Sequence, residues 1–124
     1  MVEDDEDLCS GWQDLFSLLG YSVDCYNRSL DALGEPGKIQ RCDLLITDYY
    51  LPDVNGVELI RRCHAVRPGL PAILLTGSKE DTVMTAARLL DHCCVLHKPV
   101  NIEELDRQIR RLCRGEAAAR PACQ

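Results

Sequence analysis

Short apolar segments alternate along this chain with longer segments whose apolar residues recur at helical spacing. Three short segments are almost wholly apolar, are bounded by turn residues and predict buried strands; they are residues 43–47 (DLLIT), Ala72–Thr76 (AILLT) and Cys93–His97 (CCVLH). Such continuous runs are typical of parallel strands that are covered on both faces. Residues 21–26 (YSVDCY) alternate between polar and apolar types and predict an edge strand.

Helical spacing predicts five helices between and after these strands, over residues 8–19, 29–33, 57–66, 81–90 and 102–113. The second of them is followed by residues 34–37 (GEPG), which predict a loop after a short helix. Alternation of strand and helix predicts a parallel α/β sandwich, because right-handed crossovers place helices on both faces of the sheet. Ligands of such a fold bind at the carboxyl ends of the strands.

The two ends of the chain carry separate predictions. Only Met1 and Val2 precede the acidic run at residues 3–7 (EDDED), whereas a buried strand has about five residues. The first strand therefore looks truncated: either its true start lies upstream, or added residues complete the strand, or the strand is unusually short. We expect one domain over residues 1–114, and a flexible tail or linker remnant over the alanine-rich residues 115–124.

Composition and charge narrow the class of protein. The chain has 124 residues, of which 46% are hydrophobic and 27% charged, as in a single globular domain. No apolar run approaches the roughly 18 residues of a membrane span, and no export signal opens the chain, so we expect a cytoplasmic protein. A net charge of -6 disfavours direct nucleic-acid binding through a broad basic face. The eight cysteines contain no C-x-x-C spacing, so we expect reduced thiols and no zinc site.

Polar residues follow the carboxyl ends of the predicted strands. Asp48 follows one buried strand, and Glu3 and Asp4 follow the stub of another. If these strands are neighbours, their carboxylates converge, which is unfavourable unless a cation such as Mg²⁺ neutralises them. Thr76 ends a second buried strand and Lys98 follows a third. A hydroxyl and an ammonium group there would help a carboxylate to attack a phosphoryl group, because they neutralise its oxygens.

The sequence around these residues resembles a known family, the receiver domain of two-component response regulators. The resemblance is carried by residues 2–8 (VEDDEDL), 44–60 (LLITDYYLPDVNGVELI), 71–78 (PAILLTGS) and 96–100 (LHKPV). It implies a doubly wound five-stranded parallel sheet of order 2-1-3-4-5 with helices on both faces. It also implies a signalling domain that promotes only its own phosphorylation and dephosphorylation, and is not otherwise an enzyme.

The resemblance assigns the phosphoryl chemistry to three residues. Asp48 is the phosphoacceptor of a His-Asp phosphorelay, and Thr76 and Lys98 contact the phosphoryl group. The partners implied are a sensor histidine kinase or a histidine phosphotransfer protein, with an effector domain or a homodimer partner as further possibilities, and with no direct contact to nucleic acid or membrane.

The resemblance also assigns the Mg²⁺ site. Asp4 and Asp48 supply carboxylate ligands, Tyr50 supplies its backbone carbonyl, and Glu3 acts through water. The acidic run leaves two pairs available, Glu3–Asp4 and Asp4–Asp5. We favour Glu3–Asp4, since in the family the pair follows directly on the apolar end of the first strand.

One departure and three alternatives complete the sequence prediction. The family often carries Tyr or Phe three residues before the site lysine, where this chain has Val95, so the usual aromatic switch is absent.

The first alternative function, a phosphatase of the haloacid-dehalogenase type, needs an aspartate at the position of Tyr50. A flavin module needs a glycine- and hydroxyl-rich loop where this chain has five acids. A degenerate receiver would act as a phosphorylation-independent interaction module, but all five site positions are filled.

Overall fold

The computed structural model describes residues 1–77 and 81–113. In this part of the chain the elements are α1 (Glu6–Leu18), α2 (Ser29–Leu33), α3 (Pro36–Arg41), β1 (Leu45–Asp48), α4 (Gly56–Val66), β2 (Ala72–Thr76), α5 (Asp81–Arg88), β3 (Cys93–His97) and α6 (Ile102–Cys113). The predicted tail, residues 115–124, lies outside the described residues. No helix within the described ranges is long and apolar enough to cross a membrane.

The three strands form one parallel sheet in the order β1-β2-β3. The register pairs Asp48 at the end of β1 with Leu75, and Thr76 at the end of β2 with His97. The carboxyl ends of all three strands therefore lie at one edge of the sheet. Helices connect the strands because a parallel pair needs a crossover rather than a hairpin.

Val2 extends this sheet beyond β1 by single parallel bridges, one to Thr47 and one to Tyr26. The Val2 N–H donates to the Ile46 carbonyl oxygen at 2.9 Å. The segments at residues 1–2 and 21–26 thus lie on the predicted side of β1, but they take part only in these two isolated bridges and neither forms a strand. The five-stranded order is not confirmed, because two residues before the acidic run are too few to build a ladder.

Apolar side chains cover the sheet on both faces, as the alternation predicted. On one face Leu74 packs in a cluster with residues of α2, α3, α4 and α5. On the other, Ile73 and Leu75 pack in a cluster with residues of α1 and α6. Neighbouring residues of β2 point to opposite faces, so a strand that is apolar throughout serves both clusters.

Two local predictions are wrong. The loop predicted at residues 34–37 contains the start of α3, which begins at Pro36 because proline is well suited to the first helical position. Cys9 and Cys25 form a disulfide with a Cα–Cα distance of 6.2 Å, whereas reduced thiols were expected. The other cysteines of the described residues are not in disulfide bonds; they are Cys42, Cys63, Cys93, Cys94 and Cys113.

Candidate functional site

Three carboxylates meet at the edge where the strands end. Asp48 is the last residue of β1, and Glu3 and Asp4 follow the Val2 bridge. One carboxylate oxygen from each of the three lies within 4.8 Å of the others. Glu3 and Asp48 are each only 3% exposed, while Asp4 is exposed. The fold therefore brings together the acidic residues that the sequence singled out.

Asp5 is the N-cap residue of helix α1 and is not part of this group of carboxylates. Its Oδ1 accepts the backbone N–H groups of Asp7 at 2.9 Å and Leu8 at 3.1 Å. A carboxylate in this position caps the helix and satisfies N–H groups that have no partner within it. The structure thus favours Glu3–Asp4 as the acidic pair.

Lys98 makes an ion pair with Asp48. Its Nζ lies 2.9 Å from Asp48 Oδ1, and its side chain remains 42% exposed. The same Oδ1 is buried and has no hydrogen-bond partner among the described residues. The Lys98 ammonium group is therefore close enough for an ion pair but is not aligned for a hydrogen bond. We interpret the contact as electrostatic. A buried carboxylate oxygen in this state retains lone pairs for a further cation.

Thr76 lies at the same edge and is connected to Lys98. It is the last residue of β2 and only 1% exposed, and its carbonyl oxygen accepts the Lys98 N–H at 2.9 Å. The Lys98–Pro99 peptide bond is cis. The hydrogen bond between Lys98 and Thr76 holds the two residues together at the strand ends, next to the phosphoacceptor candidate.

Gly56 allows helix α4 to begin close to β1. A Cβ atom at this position would lie 2.3 Å from the Asp48 carbonyl oxygen and 2.7 Å from Leu74 Cδ1. The Gly56 N–H donates to the Tyr49 carbonyl oxygen at 2.8 Å. Any side chain here would push the helix away from the site.

The Tyr50 side chain is 60% exposed. The role of the Tyr50 backbone carbonyl as a metal ligand stays a prediction.

The surroundings of Glu3 at the site raise the pKa of its carboxyl group. Burial raises this pKa to about 8, assisted by a hydrogen bond to Asp48 and by the negative charge of Asp48; the positive charge of Lys98 opposes the shift. Glu3 therefore holds a proton at neutral pH in the absence of metal. Oxygen donors, excess negative charge and an unsatisfied buried oxygen together fit a hard divalent cation such as Mg²⁺.

The sequence analysis missed two residues that support the site. Asn27 donates from Nδ2 to the Glu3 carbonyl oxygen at 3.0 Å. Asp53 accepts the N–H groups of Ser29 at 3.1 Å and Leu30 at 2.9 Å, which ties the loop after Asp48 to α2. Each contact joins residues 23 or 24 positions apart, so no local pattern announces it.

Backbone donors determine the ionisation of Asp53. Burial raises its pKa, but hydrogen bonds from the N–H groups of Leu30, Val54 and Ser29 outweigh that effect and lower the pKa to about 2. Asp53 is therefore charged at neutral pH and has a structural role as the cap of α2.

Comparison with known proteins identifies this arrangement. The family model for the response regulator receiver domain matches residues 1–110. The chain belongs to the response regulator receiver domains. The predicted family is thus confirmed, together with its fold of a parallel sheet between helices.

Relatives of this receiver domain include longer regulators. It is 29% identical over 114 residues to the transcriptional regulatory protein CreB of Escherichia coli K12, a match that covers 92% of this chain and 49% of the relative. It is 32% identical over 115 residues to the response regulator MprA of Mycobacterium leprae, covering 91% and 49%. The chain spans about half the length of these curated relatives.

Solved receiver domains have the same fold. A CheY-like receiver protein from Methanospirillum hungatei superposes with a TM-score of 0.82 at 25% identity, covering 95% of this chain and 93% of that one. A receiver domain from Clostridium thermocellum gives a TM-score of 0.85 at 21% identity, covering 96% and 95%. The second likeness concerns the fold alone.

Family membership decides between the alternative functions. A receiver domain is the phosphoacceptor part of a two-component response regulator, so the predicted signalling function is confirmed. The comparisons give no support to a degenerate interaction module. The phosphatase and flavin-binding alternatives are set aside on the same ground.

Proposed function

We propose that this receiver domain accepts a phosphoryl group on Asp48, at a Mg²⁺ site formed with Glu3 and Asp4. The observation that carries the proposal is the state of Asp48: a buried carboxylate with an unsatisfied oxygen, an ammonium group at 2.9 Å and two further carboxylates beside it. A carboxylate held only for fold stability would have its oxygens satisfied by hydrogen bonds.

The transfer proceeds by attack of an Asp48 carboxylate oxygen on the phosphorus of the donor. For a phosphohistidine donor, the new O–P bond forms while the N–P bond breaks and the imidazole leaves. Lys98 neutralises charge on the phosphoryl oxygens, and the Thr76 hydroxyl donates a hydrogen bond to one of them. Attack of water on the same phosphorus breaks the O–P bond to Asp48, releases inorganic phosphate and restores the carboxylate. In this proposal the domain promotes only its own phosphorylation and dephosphorylation.

Mg²⁺, when bound, would supply positive charge that offsets the negative charge of the carboxylates and of the incoming phosphoryl group. Asp4 and Asp48 would be direct carboxylate ligands, Glu3 would act through water, and Tyr50 would contribute its backbone carbonyl. The preference of Mg²⁺ for a few carboxylates together with a carbonyl and waters supports this assignment. Exposure of Asp4 supports it further, because an open side leaves room for water and for the phosphoryl group.

The finer features of the domain belong to the same proposal. In the order 2-1-3-4-5 the segment around Tyr26 would be the edge strand and the segment around Val2 would be its neighbour; the order of their bridges supports this proposal. Residues 1–114 form the receiver domain, and residues 115–124 are a tail or linker. The partners are a sensor histidine kinase or histidine phosphotransfer protein in the cytoplasm, with an effector domain or a second receiver as the output and no direct contact to nucleic acid or membrane.

Intact mass spectrometry after incubation with acetyl phosphate tests the phosphoacceptor assignment. The wild-type protein is expected to gain one phosphoryl group with Mg²⁺ and none with a chelator. Asp48→Asn should lose the gain. Asp14→Asn, which removes an exposed carboxylate of α1, should keep it. A gain in Asp48→Asn, or none in folded wild type, would contradict the proposal.

A further inference from the structure

The disulfide between Cys9 and Cys25 lies next to the acidic site. Cys9 is in the first turns of α1 and is 6% exposed, whereas Cys25 is partly exposed and directly precedes the Tyr26 bridge. The Cα–Cα distance of 6.2 Å lies within the range of protein disulfides. The bond therefore joins the start of α1 to the chain segment that runs beside Glu3.

The backbone of Glu3 is held by this same region. Cys9 Sγ lies 3.5 Å from the Glu3 carbonyl oxygen. Asn27 donates from Nδ2 to that oxygen at 3.0 Å and lies 3.7 Å from the Cys9 sulfur. The Glu3 N–H donates to the Tyr26 carbonyl oxygen at 2.9 Å. The N–H and the carbonyl oxygen of Glu3 are thus both hydrogen-bonded by the two residues that follow Cys25.

The disulfide limits how far the acidic pair can move. Glu3 and Asp4 lie between the bridged Val2 and the capped start of α1, and the disulfide fixes that helix start against the Tyr26 segment. Reduction releases the helix start.

We propose that Cys9 and Cys25 form a reversible redox modification site that controls Mg²⁺ binding by Glu3 and Asp4. The proposal rests on the metal site of the proposed function and adds its regulation. The oxidised protein presents a preorganised carboxylate pair and binds Mg²⁺ more tightly. The reduced protein has a looser pair and binds Mg²⁺ more weakly, because part of the binding free energy is used to order it.

The redox step balances by thiol–disulfide exchange with a low-molecular-weight disulfide. A thiolate of the protein attacks the external disulfide and releases one small thiol. The second cysteine then attacks the mixed disulfide, which forms the Cys9–Cys25 bond and releases the other small thiol. The protein loses two hydrogens and the external disulfide gains two. Cys25 is the entry point because it is the more exposed of the two residues.

Calorimetric titration of the full chain with Mg²⁺ tests the proposal. One sample is equilibrated with glutathione disulfide and the other with dithiothreitol, and peptide mapping after alkylation reports which cysteines are bridged. The oxidised sample is expected to bind Mg²⁺ about tenfold more tightly, as for groups that orient metal ligands. Cys9→Ala with Cys25→Ala should bind like the reduced wild type in both buffers. Cys113→Ser, which removes an exposed free thiol, should keep the full redox response.

Equal Mg²⁺ affinity of the two wild-type samples would overturn the proposal, and so would alkylation of both Cys9 and Cys25 in the oxidised sample. This comparison needs no substitution, so it decides the question even if the double variant does not fold. Acetyl phosphate assays on both samples separate the two proposals. If the affinities differ but neither sample gains a phosphoryl group, the redox inference stands and the phosphoacceptor assignment fails.

Discussion

Glu3→Gln in metal-free protein should change the pH dependence of folding stability. The pKa of Glu3 is raised from 4.5 to about 8, chiefly by burial. Between these two values the folded protein holds a proton that the unfolded chain has released. Its contribution to stability is therefore fully present below about pH 4.5 and is lost as the pH rises through about 8.

The expected magnitude follows from the width of this window. Glu3 is only 3% exposed, so solvent screens its interactions little. Loss of one proton changes the free energy of unfolding by about 1.4 kcal/mol per pH unit, so the wild type should lose roughly 2–3 kcal/mol between pH 6 and pH 8 relative to Glu3→Gln. The glutamine carries no titrating proton and can still donate a hydrogen bond to Asp48.

Urea unfolding at pH 6, 7 and 8 in the presence of a chelator measures this difference. Trp12, which stacks on Phe16 with ring centroids 5.6 Å apart, provides a fluorescence signal. Glu6→Gln, which removes an exposed carboxylate of α1, is the matched control and should keep the wild-type slope. Saturating Mg²⁺ should flatten the wild-type curve, because the cation replaces the proton. Parallel curves for wild type and Glu3→Gln in chelator would refute the reasoning.

Three further changes test packing, the disulfide and the cap of α2. Gly56→Ala places a methyl group 2.3 Å from a backbone oxygen and should lower the free energy of unfolding by about 1–3 kcal/mol in urea titrations. The control Gly11→Ala lies in open space on α1 and should raise the free energy of unfolding by roughly 1 kcal/mol. Equal effects of the two substitutions would contradict a clash at Gly56. Cys9→Ala with Cys25→Ala removes a cross-link over 16 residues and should cost about 3 kcal/mol of unfolding free energy relative to oxidised wild type. Reduction of the wild type should cost a similar amount. Asp53→Ala removes the cap of α2 and should cost about 1 kcal/mol and increase amide exchange in that helix; unchanged exchange would exclude the cap.

Local sequence was sufficient to predict the strands at the centre of the sheet. The predicted ranges for β2 and β3, Ala72–Thr76 and Cys93–His97, agree with the structure. Continuous apolar runs bounded by turn residues are a strong signal, since a strand covered on both faces tolerates few polar residues. The signal was weaker at residues 21–26, where the structure has a single bridge and no strand.

The same local information predicted which residues gather at the strand ends. Parallel strands end at one edge of the sheet, so residues that follow Val2, β1, β2 and β3 must approach one another. Asp48 and Lys98 do so, at 2.9 Å. The roles of Asp48, Thr76 and Lys98 in phosphoryl transfer stay predictions until the acetyl phosphate experiment is done.

The sequence by itself therefore determined the layered α/β fold and the group of polar residues at its edge, because both follow from periodicity and strand polarity. Tertiary structure alone decided that Asp5 caps α1, that Cys9 bonds to Cys25, and that burial beside Asp48 raises the pKa of Glu3 to about 8. The bridge and the pKa depend on contacts between residues far apart in the chain, and the cap depends on where the helix actually begins. Such contacts depend on how the helices and strands pack, which residue types and their spacing do not specify.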